Sequence, residues 1–248
     1  MKICLAASES LVKTNREYYI QNSRYSLVSF YYIEKWQSAL FNSELFLLDS
    51  GAFTFISNCK GDVDFDSYLD RYIAFIKEND IKYFFELDVD AIVGYDKVKQ
   101  MRAKLERAVG RQCIPVWHRT RGLDEWKRLT KDYNYIAIGG FAIKDIKERE
   151  YRYITALLEI ARKNGCKVHG LGFTSLKYLD KFHFYSVDST TWLSGSRYGN
   201  IYVFKHNKMK QHPHPKGKRL KSGEYLAEMQ LFNLREWIKY QHYASKYL

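Results

Sequence analysis

The chain has 248 residues, 46% of them hydrophobic, enough for one large α/β domain or two small ones with a sizeable core. Its formal net charge of +12 points to a polyanionic partner, nucleic acid first, although a generally basic proteome gives the same balance. Cys4, Cys59, Cys113 and Cys166 show no C-x-x-C spacing, which argues against a zinc ribbon and a disulfide framework, and no run approaches the roughly 20 apolar residues of a bilayer span.

The N-terminal stretch MKICLAASES has an apolar run too short for the core of a signal peptide, so a reduced, cytoplasmic setting is expected. Its apolar part, Lys2–Ala7, is the first predicted strand. Further short runs, β-branched or aromatic and bounded by Gly, Asp or Ser, predict strands at Glu44–Leu48, Lys82–Leu87, Gln112–Trp117, Tyr135–Ile138, Lys167–Leu171, His183–Val187 and Asn200–Phe204. Helical periodicity fills several gaps. Tyr68, Leu69, Tyr72, Ile73 and Ile76 form one apolar face, and Ile154, Leu157, Leu158 and Ala161 form another, stopped by Asn164-Gly165.

Eight strands with mostly helical connections match a (β/α)8 TIM barrel, with a doubly wound sheet as the structural alternative. The link between the last two strands is too short for a full helix. One barrel domain is expected over 1–204. Residues 205–221 are rich in Lys, Arg and His and hold no acid, so they read as an exposed basic loop. A helix over 222–248, with Leu231, Leu234 and Ile238 on one face, is expected to pack on the barrel.

Polar residues gather where the predicted strands end. These ends read Asp49-Ser50-Gly51-Ala52-Phe53, Asp88 with Asp90, Trp117-His118-Arg119, Gly139-Gly140-Phe141, Gly170-Leu171-Gly172 and Asp188-Ser189. Each has an ordinary explanation. The Asp-Ser pairs could cap helices, Gly139-Gly140 could be a plain turn, and His118 could be a satisfied structural histidine. In a barrel, however, all these ends meet on the one rim that carries catalytic groups. Two carboxylates there can divide glycosyl transfer, one attacking an anomeric carbon and the other moving protons. Glycine-rich ends let backbone N–H groups approach a base, and Phe53, Trp117 and Phe141 offer stacking faces.

Taken in order, LLDSGAF (47–53), ELDVD (86–90), IPVWHRT (114–120), IGGFA (138–142), HGLGFTS (169–175) and YSVDSTTW (185–192) resemble the motifs of the tRNA-guanine transglycosylase superfamily. The wording is most similar to its short, phage-type branch, which is associated with placing 7-deazaguanines in DNA. The resemblance covers about residues 47–199. It implies that Asp188 is the nucleophile and Asp49 the general acid/base. Asp88 would read the guanine edge, with Asp90 as a second alignment, and Gly139 and Gly140 would offer backbone to the base. Ser50, Phe53, Trp117, His118, Phe141 and Gly172 complete the expected base pocket. Arg197 matches a turn arginine near phosphate. Lys205, Lys208, Lys210, Lys216, Lys218, Arg219 and Lys221 would clamp the nucleic acid. The implied partners are DNA and a free 7-deazaguanine base of the preQ0 type, with no cofactor and no membrane, in a phage-encoded enzyme acting in the host cytoplasm.

Three departures matter. Members acting on tRNA bind a structural zinc through three Cys and one His after the nucleophile, but no cysteine follows Cys166 here. His206, His212 and His214 read as loop histidines, so no metal is expected. Phe141 and Ala52 replace the usual Leu and second Gly. The missing zinc ligands lean towards DNA. The same exchange on RNA, a non-catalytic nucleic-acid-binding barrel and an unrelated barrel enzyme with a phosphate site remain as alternatives.

Overall fold

The computed structural model describes residues 1–52, 54–55, 63–141, 145–173, 175–213 and 223–248. Seven parallel strands form one sheet: β1 (Lys2–Ala6), β2 (Tyr25–Ser29), β3 (Leu45–Asp49), β4 (Val116–Trp117), β5 (Tyr135–Ile138), β6 (Lys167–Gly170) and β7 (Ser186–Ser189). Their spatial order is β3-β2-β1-β7-β6-β5-β4. That order is cyclic. Each strand lies beside its sequence neighbour except β3 and β4, which form the two edges, and β7 pairs with β1, with none of the reversal that marks a doubly wound sheet.

The two edges share a neighbour. Leu48 of β3 bridges to Phe84, and Phe85 bridges to Ile114, two residues before β4. The Phe85 N–H donates to Leu48 O at 2.9 Å, and the Ile114 N–H donates to Phe84 O at 2.8 Å. The Tyr72 hydroxyl ties the same join, reaching Leu48 O at 3.0 Å and Phe85 O at 3.1 Å. A flat sheet cannot present both edges to one short segment, so the sheet is curled.

Alternation along the strands makes two cores. Inside the curl lie Cys4, Ala6, Tyr25, Leu27, Leu45, Leu47, Phe85, Tyr135 and Ala137. Outside it, Ile3, Leu5, Phe46, Leu48, Ile136 and Ile138 pack towards the helices. The helix over Phe65–Glu78 (α2) buries the predicted face Tyr68, Leu69, Tyr72, Ile73 and Ile76, and Asp64 caps it by accepting the Ser67 N–H at 3.0 Å. Further outer helices are α1 (Lys13–Asn22), α3 (Asp90–Val93), α4 (Tyr95–Val109), α5 (Gly122–Asp132) and α6 (Ile154–Lys163), the last ending at the predicted Asn164-Gly165. Cys4, Cys113 and Cys166 are buried free thiols. No helix among the described residues is long and apolar enough to cross a membrane.

Several strand expectations need correction. The strand expected at Lys82–Leu87 is reduced to isolated bridges at Phe84 and Phe85, and the one expected at Gln112–Trp117 shortens to Val116–Trp117 with a bridge at Ile114. The strand at Tyr25–Ser29 escaped the sequence reading because Ser26 and Ser29 break its apolar run. The Ser26 hydroxyl is buried and meets the Tyr19 hydroxyl at 3.0 Å. Conversely, the eighth predicted strand, 200–204, lies outside the main sheet. It becomes β8 (Ile201–Lys205) and pairs antiparallel with β9 (Lys208–His212) through a two-residue turn, His206-Asn207, with both φ positive. The basic segment therefore starts as a hairpin, and its residues 214–222 lie outside the described set.

After β7 come a short helix α7 (Ser194–Tyr198), the hairpin and the long α8 (Gly223–Tyr247). Helix α8 buries Leu234, Trp237 and Ile238 and spans the length of β1. Gln230 near its start donates to Ser10 O beyond the C-terminal end of β1 at 3.0 Å. Gln241 near its end, fully buried, donates to Ile3 O at 2.8 Å and Tyr25 O at 2.9 Å and accepts the Arg24 N–H at 2.9 Å. Removing that amide takes the side-chain partner from Ile3 O and the Arg24 N–H and leaves Tyr25 O with the Ser23 hydroxyl at 3.2 Å. Gln241→Ala is therefore expected to lower unfolding stability by about 3 kcal/mol in urea titration. An unchanged midpoint would mean that α8 does not clamp the strand starts.

Candidate active site

Because the strands are parallel, their C-terminal ends share one rim. Asp49 ends β3, Asp88 follows the Phe84–Phe85 bridge, His118 follows β4, and Asp188 lies in β7 in register with Cys4 of β1. Asp188 is 6% exposed and does not cap the turn after it. That task falls to Ser189, whose hydroxyl accepts the Thr191 N–H at 3.1 Å. Asp188 Oδ1 instead accepts the Gly172 N–H at 2.5 Å and lies 3.1 Å from His169 Nε2. Gly172 has φ +71°, a conformation that aims its N–H at the carboxylate and suits glycine. Among the described residues nothing bonds Oδ2.

Asp49 has a different environment. Its Oδ2 accepts the Gly51 N–H at 2.9 Å, so the capping explanation holds here in part. Gly51 is obligatory: φ is +84°, and a Cβ there would lie 2.7 Å from the Tyr31 Cβ. Burial pushes the Asp49 carboxyl up to about 7, against the pull of the Gly51 N–H, and the charges of Asp188 and Asp88 raise it further. One rim thus holds a carboxyl that keeps its proton near neutrality beside a second carboxylate with an open oxygen.

Asp88 is the centre of a third arrangement. Its Oδ2 lies 2.7 Å from His118 Nε2, and its Oδ1 accepts from Arg121 Nη2 at 2.9 Å. Arg121 also donates to Asp90 at 3.0 Å and to the fully buried Glu86 at 2.9 Å, and it lies over the Tyr95 ring at 4.2 Å. Glu86 further binds Arg102 at 2.6 Å and the Val116 N–H at 2.8 Å. Three acids against two guanidinium groups leave one negative charge, which His118 is placed to balance. Burial lowers the His118 pKa, but its hydrogen bond and charge contact with Asp88 raise it by more. Asp88, Asp90 and His118 bring ligand atoms within 4.8 Å of one another. A metal ion fits poorly there, because the Arg121 guanidinium already bridges both aspartates.

The other expected residues divide. Ser50 is buried at the rim with its hydroxyl unpartnered among the described residues. Arg197, exposed on α7, reaches the Ser10 hydroxyl at 3.3 Å beside the rim end of β1. Gly139 uses its N–H in the sheet, donating to Trp117 O at 2.9 Å. Its lack of a side chain admits His118, since a Cβ would lie 2.6 Å from the His118 Cε1. Gly140, with φ +92°, turns the chain so that its carbonyl accepts the Asp145 N–H at 2.9 Å. Two aromatics are not free stacking faces. Trp117 is buried against Trp126 with its N–H on Gly122 O, and Phe141 is packed among Tyr151, Phe173 and Phe184. Phe53, Lys216, Lys218, Arg219 and Lys221 lie outside the described residues.

The hairpin lysines sit apart. Phe204, at the end of β8, packs on Tyr240 and Tyr243 of α8, the half of that helix that reaches Met1. Lys205 and Lys208 therefore flank a turn near the N-terminal end of the sheet, away from the carboxylates, while β9 carries Lys210 back towards the rim. The larger cavity described, about 490 Å³, is also remote, lying between α6 and residues 181–185.

Sequence reasoning missed Glu86, Arg102, Arg121, His169, Ser186 and Tyr135. Signals existed. ELDVD sets three acids two apart between apolar residues, which demands buried cations, and Arg102 interrupts the apolar face Val98, Met101 and Leu105 of α4. No protein-family model matches the chain, and no curated protein matches it.

Asp49 binds its proton more tightly folded than unfolded, so stability falls as pH rises from about 4 to about 7. Asp49→Asn keeps the acceptor for Gly51 and removes the ionisation. Relative to the parent, it is expected to gain up to about 4 kcal/mol between pH 4 and pH 8 in urea unfolding. A pH-independent difference would contradict the raised pKa.

Proposed function

We propose that this protein is a DNA-guanine transglycosylase that exchanges guanine for a 7-deazaguanine base, on a closed (β/α)8-type barrel whose eighth stave is the Phe84–Phe85 segment between β3 and β4. The observation that carries the reading is a pair of carboxyls held differently on one rim: Asp49 buried and raised to about 7, and Asp188 gripped through Oδ1 by the Gly172 N–H and the His169 ring, with Oδ2 unbonded among the described residues. Two carboxyls in different environments suit a retaining, double-displacement exchange. The cyclic strand order and the join between the sheet edges support the barrel.

In the first half-reaction the Asp188 oxygen attacks C1′, and the C1′–N9 pair leaves with guanine, which takes a proton from Asp49. The product is a glycosyl ester on Asp188. In the second, Asp49 removes the N9 proton of the incoming base, whose nitrogen attacks C1′ and releases the Asp188 carboxylate. Proton and charge return to the start. The target base must leave its stack, which costs a few kcal/mol, and phosphate contacts by the basic surface offset that cost with strong salt dependence. Of the expected phosphate contacts among the described residues, Arg197 lies beside the rim end of β1.

The Asp88 network changes one role. Both Asp88 oxygens are held, so base recognition at this point falls to the paired Asp88–His118 unit, with Arg121 supplying its rigidity. Exchange on RNA stays as the second arm of the test.

Labelled guanine incubated with DNA and, separately, with tRNA decides the substrate: label is expected to enter DNA. Asp188→Ala is expected to reduce exchange by at least about 1000-fold. Asp49→Asn is expected to reduce kcat by about 100-fold with little change in KM, and to remove the bend near pH 7 in the rate profile. Retained exchange in Asp188→Ala would remove that residue from the mechanism.

A further inference from the structure

Behind Asp188, the inside of the curl carries three polar side chains that the reaction above does not use. Tyr135 of β5, His169 of β6 and Ser186 of β7 are buried, the last two completely. They form a file. The Tyr135 hydroxyl is 2.5 Å from Ser186 Oγ, Ser186 Oγ is 2.6 Å from His169 Nδ1, and His169 Nε2 is 3.1 Å from Asp188 Oδ1. Phe85 packs its ring against His169, with centroids 5.4 Å apart.

Counting hydrogens fixes the direction of this file. A carboxylate only accepts, so His169 Nε2 must be the donor to Asp188. If the ring is neutral, Nδ1 accepts from Ser186 and Ser186 accepts from Tyr135. Every hydrogen then has an acceptor. If the ring were an imidazolium, Nδ1–H would donate to Ser186, Ser186 would donate to Tyr135, and the Tyr135 hydrogen would have no acceptor among the described residues. A buried donor left without an acceptor is disfavoured, so the file selects the neutral ring with its proton on Nε2.

We propose that His169 is a positioning residue: held as the neutral Nε2–H tautomer by the Tyr135–Ser186 hydroxyl pair, it locks Asp188 through Oδ1 and so presents Oδ2 as the attacking oxygen. This rests on Asp188 being the nucleophile of the reaction proposed above. The Gly172 N–H grips the same oxygen, so the carboxylate is held by two donors on one side and stays open on the other. A neutral donor orients the carboxylate without cancelling the charge that attack on C1′ requires. An imidazolium would form an ion pair and blunt it.

The tautomer is tested without any substrate. In ¹⁵N-histidine-labelled protein, with His169 assigned by its loss in His169→Gln, the ring is expected to show the Nε2–H pattern at pH 7. Ser186→Ala is expected to weaken that preference. An Nδ1–H tautomer or an imidazolium at pH 7 overturns the proposal. The kinetic half compares two replacements. His169→Gln keeps an N–H donor and is expected to hold kcat within about tenfold, whereas His169→Leu loses about 100-fold in kcat at similar KM. Equal kcat in His169→Leu and the parent overturns the positioning role. If the parent shows no base exchange at all, the transglycosylase reading fails by that result, while the tautomer measurement still judges the hydrogen-bond file.

Discussion

Like charges crowded at the ends of neighbouring parallel strands must each be dealt with, and the rim of this protein is organised by how it deals with three aspartates. Asp88 is neutralised by Arg121 and His118. Asp188 meets no Lys or Arg among the described residues and is held by the Gly172 N–H and the His169 ring. Asp49 keeps its proton to about pH 7 because burial and the other two charges disfavour its ionisation. Each solution enables the next. Without Arg121, Glu86 would keep Arg102 and Asp88 would keep His118, but three buried or half-buried acids would face one guanidinium instead of two, a cost of up to about 3–5 kcal/mol for a broken buried pair. Without the negative Asp88 and Asp188, Asp49 would lose part of its raised proton affinity. The different environments of the three carboxyls follow from this electrostatic arrangement.

The curl of the sheet makes the arrangement possible. Inward positions of β5, β6 and β7 carry Tyr135, His169, Ser186 and Asp188, while outward positions of the same strands carry Ile136, Ile138, Val168 and Val187 against the helices. The two faces thus do different work on a single period of two. Trp192 seals the top of this region: it is fully buried, its N–H donates to Ala6 O at 2.9 Å, and its ring stacks on Tyr19. The segment that follows Asp188 is thereby anchored to the end of β1 rather than left as a free loop.

Much of the fold was readable from short apolar runs, because a strand buried on both faces must be apolar whatever its neighbours. The strand Tyr25–Ser29 was not, since its serines are tolerable only with a partner that lies far along the packing, such as the Tyr19 hydroxyl at Ser26. The run at 201–204 was recognisable as a strand, but nothing local says that its partner is 208–212 and its cover α8 rather than the main sheet. At the site, the three aspartates and Gly172 were found because strand ends and turn glycines are local signals. Arg121, Arg102 and His169 were missed because their meaning lies in partners 16 to 35 residues away. Trp117 was assigned to the pocket from its place at a strand end, whereas strand alternation turns its ring outward onto Trp126. The basic segment was legible as charge but not as geometry: Lys205 and Lys208 fall at the far end of α8 from the carboxylates.

The central claim is that Asp188 becomes covalently attached to the sugar while Asp49 moves the proton. Trapping that intermediate tests it most directly. The parent protein is mixed with guanine-containing DNA without an incoming base, quenched in denaturant, and digested for peptide mass spectrometry. A deoxyribose-linked adduct on the peptide bearing Asp188 is the result expected. Base exchange with the adduct on Asp49, or with no adduct on any carboxylate, would contradict the account.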